Sequence, residues 1–205
     1  YFDKFPLPIF FLRGNEDLPI PDDFWISEKT YLMKDQEPFY LDEFKVFPID
    51  YHFRGEKTDI QPKHPELCES DHFDFVFSHR PPLGLLDHTL HLETHKRLTN
   101  TGSPMVRHYV DMLKPAITFF GHFHYSNYLQ YESGLVVCID KLIRVGKGDN
   151  NYRYSYALVD PVEKMLEVVW KSRLFFKYSL LERKIKIVNQ FDHRNVYVRK
   201  HKGDE

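Results

Sequence analysis

A buried apolar run that ends in a glycine and two histidines most constrains the fold of this chain. Residues 116–120 read Ala-Ile-Thr-Phe-Phe, which predicts a buried strand. The strand breaks at Gly121, and His122 and His124 follow with one residue between them. Residues two apart on an extended segment point the same way, so both imidazoles can face one point beyond the strand. Since neutral imidazole is the commonest side-chain metal ligand, the pattern indicates either a metal site or two ordinary loop histidines.

The composition is that of a globular chain. The 205 residues are enough for one domain, or for a domain with an extension, and 42% of them are hydrophobic. No apolar run approaches the roughly 18 residues that a membrane span needs, so we expect no membrane partner. Cys68 and Cys138 have no metal-type spacing, and we interpret them as reduced thiols of a cytoplasmic protein.

A strand, a helix and a second strand follow one another before Gly121. Residues 73–78 form another apolar run, and Ser103-Pro104 suits the start of a helix. The apolar residues of this helix recur at helical spacing: Val106, Tyr109, Val110 and Leu113. With residues 116–120, the order predicts a βαβ-like unit.

Beyond His124 the hydrophobic period changes to two, which predicts strands. The predicted strands cover residues 127–131, 135–139, 152–159 and 165–170. Residues 85–98 are compatible with a helix. Residues 171–205 hold ten Lys and Arg residues against four Asp and Glu residues. We therefore predict a domain over residues 1–170 and a basic C-terminal extension over residues 171–205.

The basic extension has two interpretations. Its Lys and Arg residues, interleaved with aromatic rings, suit the binding of nucleic-acid phosphates. Ile185 and Ile187 alternate with polar residues, which instead favours the solvated surface of a half-buried strand. The apolar run Leu174-Phe175-Phe176 indicates packing on the domain or on a second copy of the chain in a homo-oligomer.

Three apolar runs are each followed by a residue that can bind a metal: Asn15, His79 and His122. In sheets with helical crossovers, sites form at the carboxyl ends of strands, where loops converge. Imidazole nitrogens and an amide oxygen suit Mn, Fe or Zn. Two such ions about 3.5–4 Å apart can hold a phosphate ester and activate water against it.

The residues around these positions resemble the last three of the five motifs of the calcineurin-like metallophosphoesterases. They are Gly-Asn-Glu-Asp at 14–17, Ser-His-Arg-Pro-Pro at 78–82 and Gly-His-Phe-His at 121–124. The resemblance implies a fold of the α/β (α+β mixed) class, a four-layer αββα sandwich of two mixed β-sheets flanked by helices. The family's first two motifs, Asp-x-His and Gly-Asp-x-x-Asp, are absent. We therefore expect this chain to be the C-terminal portion of such a domain.

The resemblance implies a metal-ligand set. Asn15, His79 and His122 would bind one divalent ion, and His124 would bind the other. Asn15 would also lie near the substrate phosphate and take part in catalysis.

It further implies substrate contacts. Asp17 keeps the family pattern and is a candidate catalytic residue, whereas Glu16 stands where many members have a histidine thought to protonate the leaving group. Glu16 is therefore a candidate substrate-binding residue, and leaving-group protonation would come from water, Glu16 or another side chain. Arg80, beside His79, suits a phosphate contact through its planar guanidinium.

The implied function is hydrolysis of a phosphomonoester or phosphodiester by a hydroxide held between two Mn, Fe or Zn ions. One alternative is a non-catalytic binding or scaffold module of the same fold, because two ligand motifs are absent. Another is a nuclease that holds nucleic acid through residues 171–205.

Overall fold

The structure is a computed structural model, and it describes the following parts of the chain: residues 6–15, 29–51, 62–87, 89–90, 97–98, 102–123, 126–139, 143–144, 152–153, 155–170 and 173–188. Three residues of the predicted site, Glu16, Asp17 and His124, lie outside these ranges. Within the described residues, no helix combines the length and the apolar character that crossing a membrane requires.

Strands make up most of the regular secondary structure of the described residues. In chain order they are β1 (Ile9–Phe11), β2 (Thr30–Leu32), β3 (Phe39–Leu41), β4 (Phe44–Ile49), β5 (Phe75–Ser78), β6 (Thr89–Leu90), β7 (Arg97–Leu98), β8 (Ile117–Phe120), β9 (Asn127–Tyr131), β10 (Gly134–Cys138), β11 (Ile143–Arg144), β12 (Tyr152–Arg153), β13 (Ser155–Asp160), β14 (Met165–Trp170), β15 (Arg173–Ser179) and β16 (Lys184–Val188). The described helical elements are α1 (Pro104–Leu113) and a 3₁₀ turn at Glu69–Asp71.

The central sheet has six strands in the order β3-β4-β5-β8-β10-β9. Strands β4, β5, β8 and β10 run parallel to one another. At the two edges, β3 pairs antiparallel with β4 and β9 pairs antiparallel with β10. Parallel neighbours need a crossover connection, and α1 lies in the connection between β5 and β8. The predicted βαβ unit is confirmed.

The predicted helix is also confirmed in its start and its buried face. Ser103 is the N-cap, and its side-chain oxygen accepts the backbone N–H of Val106. Lys114 takes a left-handed conformation after the last turn and ends the helix before Pro115. All four residues of the predicted apolar stripe are buried: Val106, Tyr109, Val110 and Leu113.

The central sheet is covered on both faces, because successive residues of a strand point to opposite sides. On one face, Val76 of β5 and Phe120 of β8 belong to the core formed with α1. On the other, Phe75 and Phe119 belong to a core shared with a second sheet, the antiparallel sheet β13-β14-β15-β16. The second sheet contributes these buried residues: Leu166, Val168, Phe175, Phe176 and Tyr178.

Part of the predicted C-terminal extension therefore belongs to the core. Residues 173–188 supply β15 and β16, and Phe175 and Phe176 pack against the central sheet of the same chain. Lys184 and Lys186 lie exposed on β16, with the half-buried Ile185 between them. The predicted alternation of polar and apolar residues is confirmed at these three positions.

The four-layer αββα sandwich of the α/β (α+β mixed) class is wrong. The described residues are mostly β-structure with one α-helix, and the second sheet is antiparallel rather than mixed. Within those residues no helical layer covers its outer face, where Tyr156 and Leu158 are 42% and 54% exposed. The physical reason lies in the period of two from residue 155 onward, since short turns join successive strands into an antiparallel sheet without helical crossovers.

Two smaller predictions also have an outcome. A helix over residues 85–98 is wrong where the chain is described, because residues 89–90 and 97–98 pair as the antiparallel strands β6 and β7. Both cysteines carry free thiols, with Cys68 exposed and Cys138 buried, which agrees with their interpretation as reduced thiols.

The core between the sheets should make stability sensitive to alkaline pH through Tyr178. Burial raises the pKa of its phenol to about 12, and the hydroxyl donates to the Ala116 carbonyl oxygen. A phenol whose pKa is higher in the folded than in the unfolded chain stabilises the fold below about pH 10. That contribution is lost as the pH rises towards 12. When the pH is raised from about 8 to about 11, the free energy of unfolding of the unaltered protein should therefore fall by roughly 1 kcal/mol more than that of Tyr178→Phe. Urea unfolding at both pH values measures this, and equal losses would contradict it.

Candidate metal centre

Parallel strands bring their carboxyl ends to one edge of the central sheet. The register pairs Ile49 of β4 with Ser78 of β5, and Ser78 with Phe120 of β8. Each strand ends at that level, so the next residues along the chain, Asp50, His79 and Gly121, leave the sheet at the same edge. The site predicted at strand ends has its geometric basis in this register.

Asn15, His79 and His122 meet at this edge through one polar atom each. His79 Nε2 lies 2.6 Å from Asn15 Oδ1 and 3.0 Å from His122 Nδ1. The third side of the triangle, from His122 Nδ1 to Asn15 Oδ1, is 3.3 Å. All three residues are half-buried, so their polar atoms converge beside solvent.

Hydrogen bonds alone do not satisfy this triangle. Each of its atoms is either a donor or an acceptor, because a ring nitrogen carries a proton or does not, and an amide oxygen only accepts. Three such atoms cannot form three mutual donor–acceptor pairs, whichever tautomers the two histidines adopt, so at most two of the three contacts are hydrogen bonds. A cation bound to all three atoms as acceptors would bridge all three contacts.

The donor set fits a transition-metal ion. Nitrogen and oxygen ligands lie about 2.0–2.2 Å from Zn²⁺ or a similar ion, so neighbouring ligands are about 3 Å apart. The separations of His122 Nδ1 from His79 Nε2 and from Asn15 Oδ1, 3.0 and 3.3 Å, are close to that value, and the 2.6 Å between His79 Nε2 and Asn15 Oδ1 is shorter. Asn15, His79 and His122 could therefore hold one Mn, Fe or Zn ion and leave coordination positions for water or substrate.

His122 lies at the centre of a strained turn. Its φ is 68°, and the Phe123 N–H donates to the Gly121 carbonyl oxygen at 2.8 Å, which closes a γ-turn around it. A γ-turn with positive φ at a non-glycine residue is rare and strained, and such residues cluster at functional sites. The buried Cys138 thiol, 3.7 Å from the Gly121 oxygen, holds the start of the turn.

The imidazole of His79 is packed on several sides. Gly14 approaches it so closely that a Cβ there would lie 2.8 Å from ring atoms Cε1 and Nδ1. The Tyr51 ring contacts it edge-on, with centroids 5.3 Å apart and planes at 89°. The ring of His122 lies 4.9 Å away, centroid to centroid. Glycine is required at position 14 because any side chain there would displace the His79 ring.

An ion pair lies behind the triangle. The Arg13 guanidinium donates to Asp50 Oδ2, and the two side chains are 18% and 2% exposed. Burial raises the pKa of the Asp50 carboxyl, and the hydrogen bond from Arg13 acts in the opposite direction. The other carboxylate oxygen of Asp50 accepts the Tyr51 N–H at 2.8 Å.

The remaining predicted residues divide into two groups. Arg80 follows His79, and one terminal nitrogen of its guanidinium donates to the Gly102 carbonyl oxygen at 3.3 Å. Glu16, Asp17 and His124 lie outside the described residues. Within the described part of the chain, no three His, Cys, Asp or Glu side chains gather into a metal-binding cluster, and the triangle has only two such residues because its third member is an asparagine.

Sequence reasoning missed Arg13, Asp50 and Tyr51. Asp50 carries the same signal as His79, a polar residue directly after an apolar strand. Pro48 interrupts the apolar run before Asp50, yet β4 continues through it to Ile49. Comparison of the chain with protein-family models, with curated proteins and with solved structures finds no match.

The glycine beside His79 gives a direct test of this geometry. We expect Gly14→Ala to weaken Mn²⁺ binding at least tenfold, because the new methyl group would displace the His79 ring. Gly121→Ala is the matched control, since a Cβ at that position meets nothing within 4 Å. Isothermal titration calorimetry with Mn²⁺ measures both variants, and equal affinities for the two would count against the placement of His79.

Proposed function

We propose that this protein is a metal-dependent phosphoesterase, a hydrolase of phosphomonoesters or phosphodiesters that acts with two divalent ions such as manganese. The proposal keeps the resemblance to calcineurin-like metallophosphoesterases, and it rests on the site rather than on the overall fold. The observation that supports it most is the triangle of Asn15 Oδ1, His79 Nε2 and His122 Nδ1, whose three contacts call for a cation.

The residues of the proposed site would divide into metal ligands and a phosphate contact. Asn15, His79 and His122 would hold one ion, and His124 would contribute to the second. When bound, the ions would activate water, neutralise the charge of the phosphate ester and stabilise the leaving oxygen. Arg80 would add positive charge for the phosphate next to His79.

The three proposed ligands lie beyond the strand ends and are half-buried, as a site that admits substrate requires. The Gly14 backbone and the Tyr51 ring fix the orientation of His79, so little reorganisation is needed before the ion binds. The roles of Glu16 and Asp17 at the substrate remain part of the proposal.

Activity on an activated aryl phosphodiester in the presence of Mn²⁺ tests this function. We expect His79→Ala and His122→Ala each to lower kcat/KM at least a hundredfold, because each removes a ligand, and we expect a chelator to abolish turnover. His108→Ala is the control, since His108 is an exposed residue of α1. Unchanged turnover in either ligand variant would contradict the proposal.

The alternative is a non-catalytic binding or scaffold module. One observation favours it: the described residues supply three donors that fit one ion rather than a complete pair. Metal analysis of the purified chain separates the two functions. A phosphoesterase should bind two ions per chain and turn over substrate, whereas a scaffold should bind fewer than two and show no turnover.

The nuclease alternative draws on the exposed Lys184 and Lys186 of β16. Deleting residues 171–205 would remove core residues such as Phe176, so substitution is the sharper test. In a nuclease, Lys184→Gln with Lys186→Gln should weaken binding to DNA or RNA and reduce its salt dependence. A homo-oligomer through this region, and a cytoplasmic location, also stay predictions.

A further inference from the structure

The segment that carries Asn15 does not belong to the sheet that carries the two histidines. Among the described strands, β1 pairs only with β2, in a two-stranded parallel sheet. No strand register therefore fixes Asn15 relative to His79, although Asn15 Oδ1 lies within 2.6 Å of His79 Nε2. Something other than backbone pairing must hold the oxygen at that distance.

The Arg13–Asp50 ion pair makes this connection. Arg13 lies two residues before Asn15 and outside any strand, and Asp50 is the residue after β4, level with His79. The pair thus joins the Asn15 segment to the edge of the central sheet at the height of the site. With side chains 18% and 2% exposed, the pair is better shielded from solvent than surface ion pairs are.

Asp50 is itself held by a second carboxylate. Its backbone N–H donates to Asp35 Oδ1 at 3.0 Å, and Asp35 is buried. Asp35 Oδ2 in turn accepts the side-chain amide of Gln36 at 2.9 Å and lies 3.2 Å from Lys63 Nζ. The Gln36 side-chain oxygen also accepts the Tyr109 hydroxyl at 2.6 Å, so the network reaches helix α1.

We propose that Asp50 is a positioning residue for the metal centre. Through its ion pair with Arg13, Asp50 holds Asn15 Oδ1 close to His79. The inference rests on the proposed function, because it assigns Asp50 a role in metal binding. Asp50 acts through the Asn15 segment and does not contact the ion. Hydrogen-bonded residues behind the ligands of a metal site commonly change metal affinity 10- to 100-fold when they are replaced.

A double-mutant cycle read out as Mn²⁺ affinity tests this role. Asp50→Asn keeps the shape of the side chain and an acceptor for the Tyr51 N–H, and it removes the charge that pairs with Arg13. By calorimetry, we expect it to weaken Mn²⁺ binding about tenfold or more. In an Asn15→Ala background, the same change should alter affinity less than about twofold, because the oxygen that Asp50 positions is already gone.

Two further variants separate positioning from general loss of structure. Glu167→Gln removes the carboxylate that pairs with Lys177 across the second sheet, and it should leave Mn²⁺ affinity unchanged. Arg13→Gln removes the charge of the more exposed partner of the ion pair and should reproduce the Asp50→Asn result. This variant decides the question if Asp50→Asn does not fold.

The outcomes distinguish this inference from the function on which it rests. If the unaltered protein binds no Mn²⁺, the proposed metal site fails, and the positioning role fails with it. If the unaltered protein binds Mn²⁺ but Asp50→Asn and Arg13→Gln bind it equally well, only the positioning role is overturned. An undiminished tenfold effect in the Asn15→Ala background would also overturn it, because Asp50 would then act as a ligand or through the whole fold.

Discussion

The two-sided burial of the central sheet is the constraint on which the rest of this structure depends. Strands β5 and β8 are covered by α1 on one face and by the four-stranded sheet on the other, so most of their side chains are apolar. Polar side chains that can meet solvent or a ligand then lie where these strands end. Since β4, β5 and β8 run parallel in close register, those ends lie at one edge. The position of the candidate metal centre follows from this arrangement of the core.

At that edge two local features position the imidazoles. His122 occupies the centre of a γ-turn at positive φ, and Gly14 meets the His79 ring at a distance that excludes any side chain. Both features orient an imidazole towards Asn15 Oδ1. At most two of the three contacts in the resulting triangle are hydrogen bonds, and two of its sides, 3.0 and 3.3 Å, match the spacing of neighbouring ligands around a metal ion. A positive φ at a candidate ligand and three converging polar atoms are features that suit a cation site.

The sequence predicted elements whose signals are local. Ser103, Pro104 and the apolar stripe of α1 determined the helix, and short apolar runs located β5 and β8. Strand ends likewise led to Asn15, His79 and His122. The four-layer arrangement was wrong because it was inferred from a resemblance confined to three short motifs, while the period of two from residue 155 onward specifies antiparallel strands. The Arg13–Asp50 pair was missed because its partners are 37 residues apart, and no local pattern reports a contact between a segment outside the sheet and a strand end.

The central claim is that Asn15, His79 and His122 together bind a metal ion, and anomalous diffraction from crystals soaked in Mn²⁺ tests it most directly. The account predicts an anomalous peak about 2.0–2.3 Å from Asn15 Oδ1, His79 Nε2 and His122 Nδ1. Crystals of His79→Ala soaked in the same way should show a much weaker peak or none. Well-ordered density for the three side chains with no anomalous peak between them, at a saturating Mn²⁺ concentration, would contradict the claim.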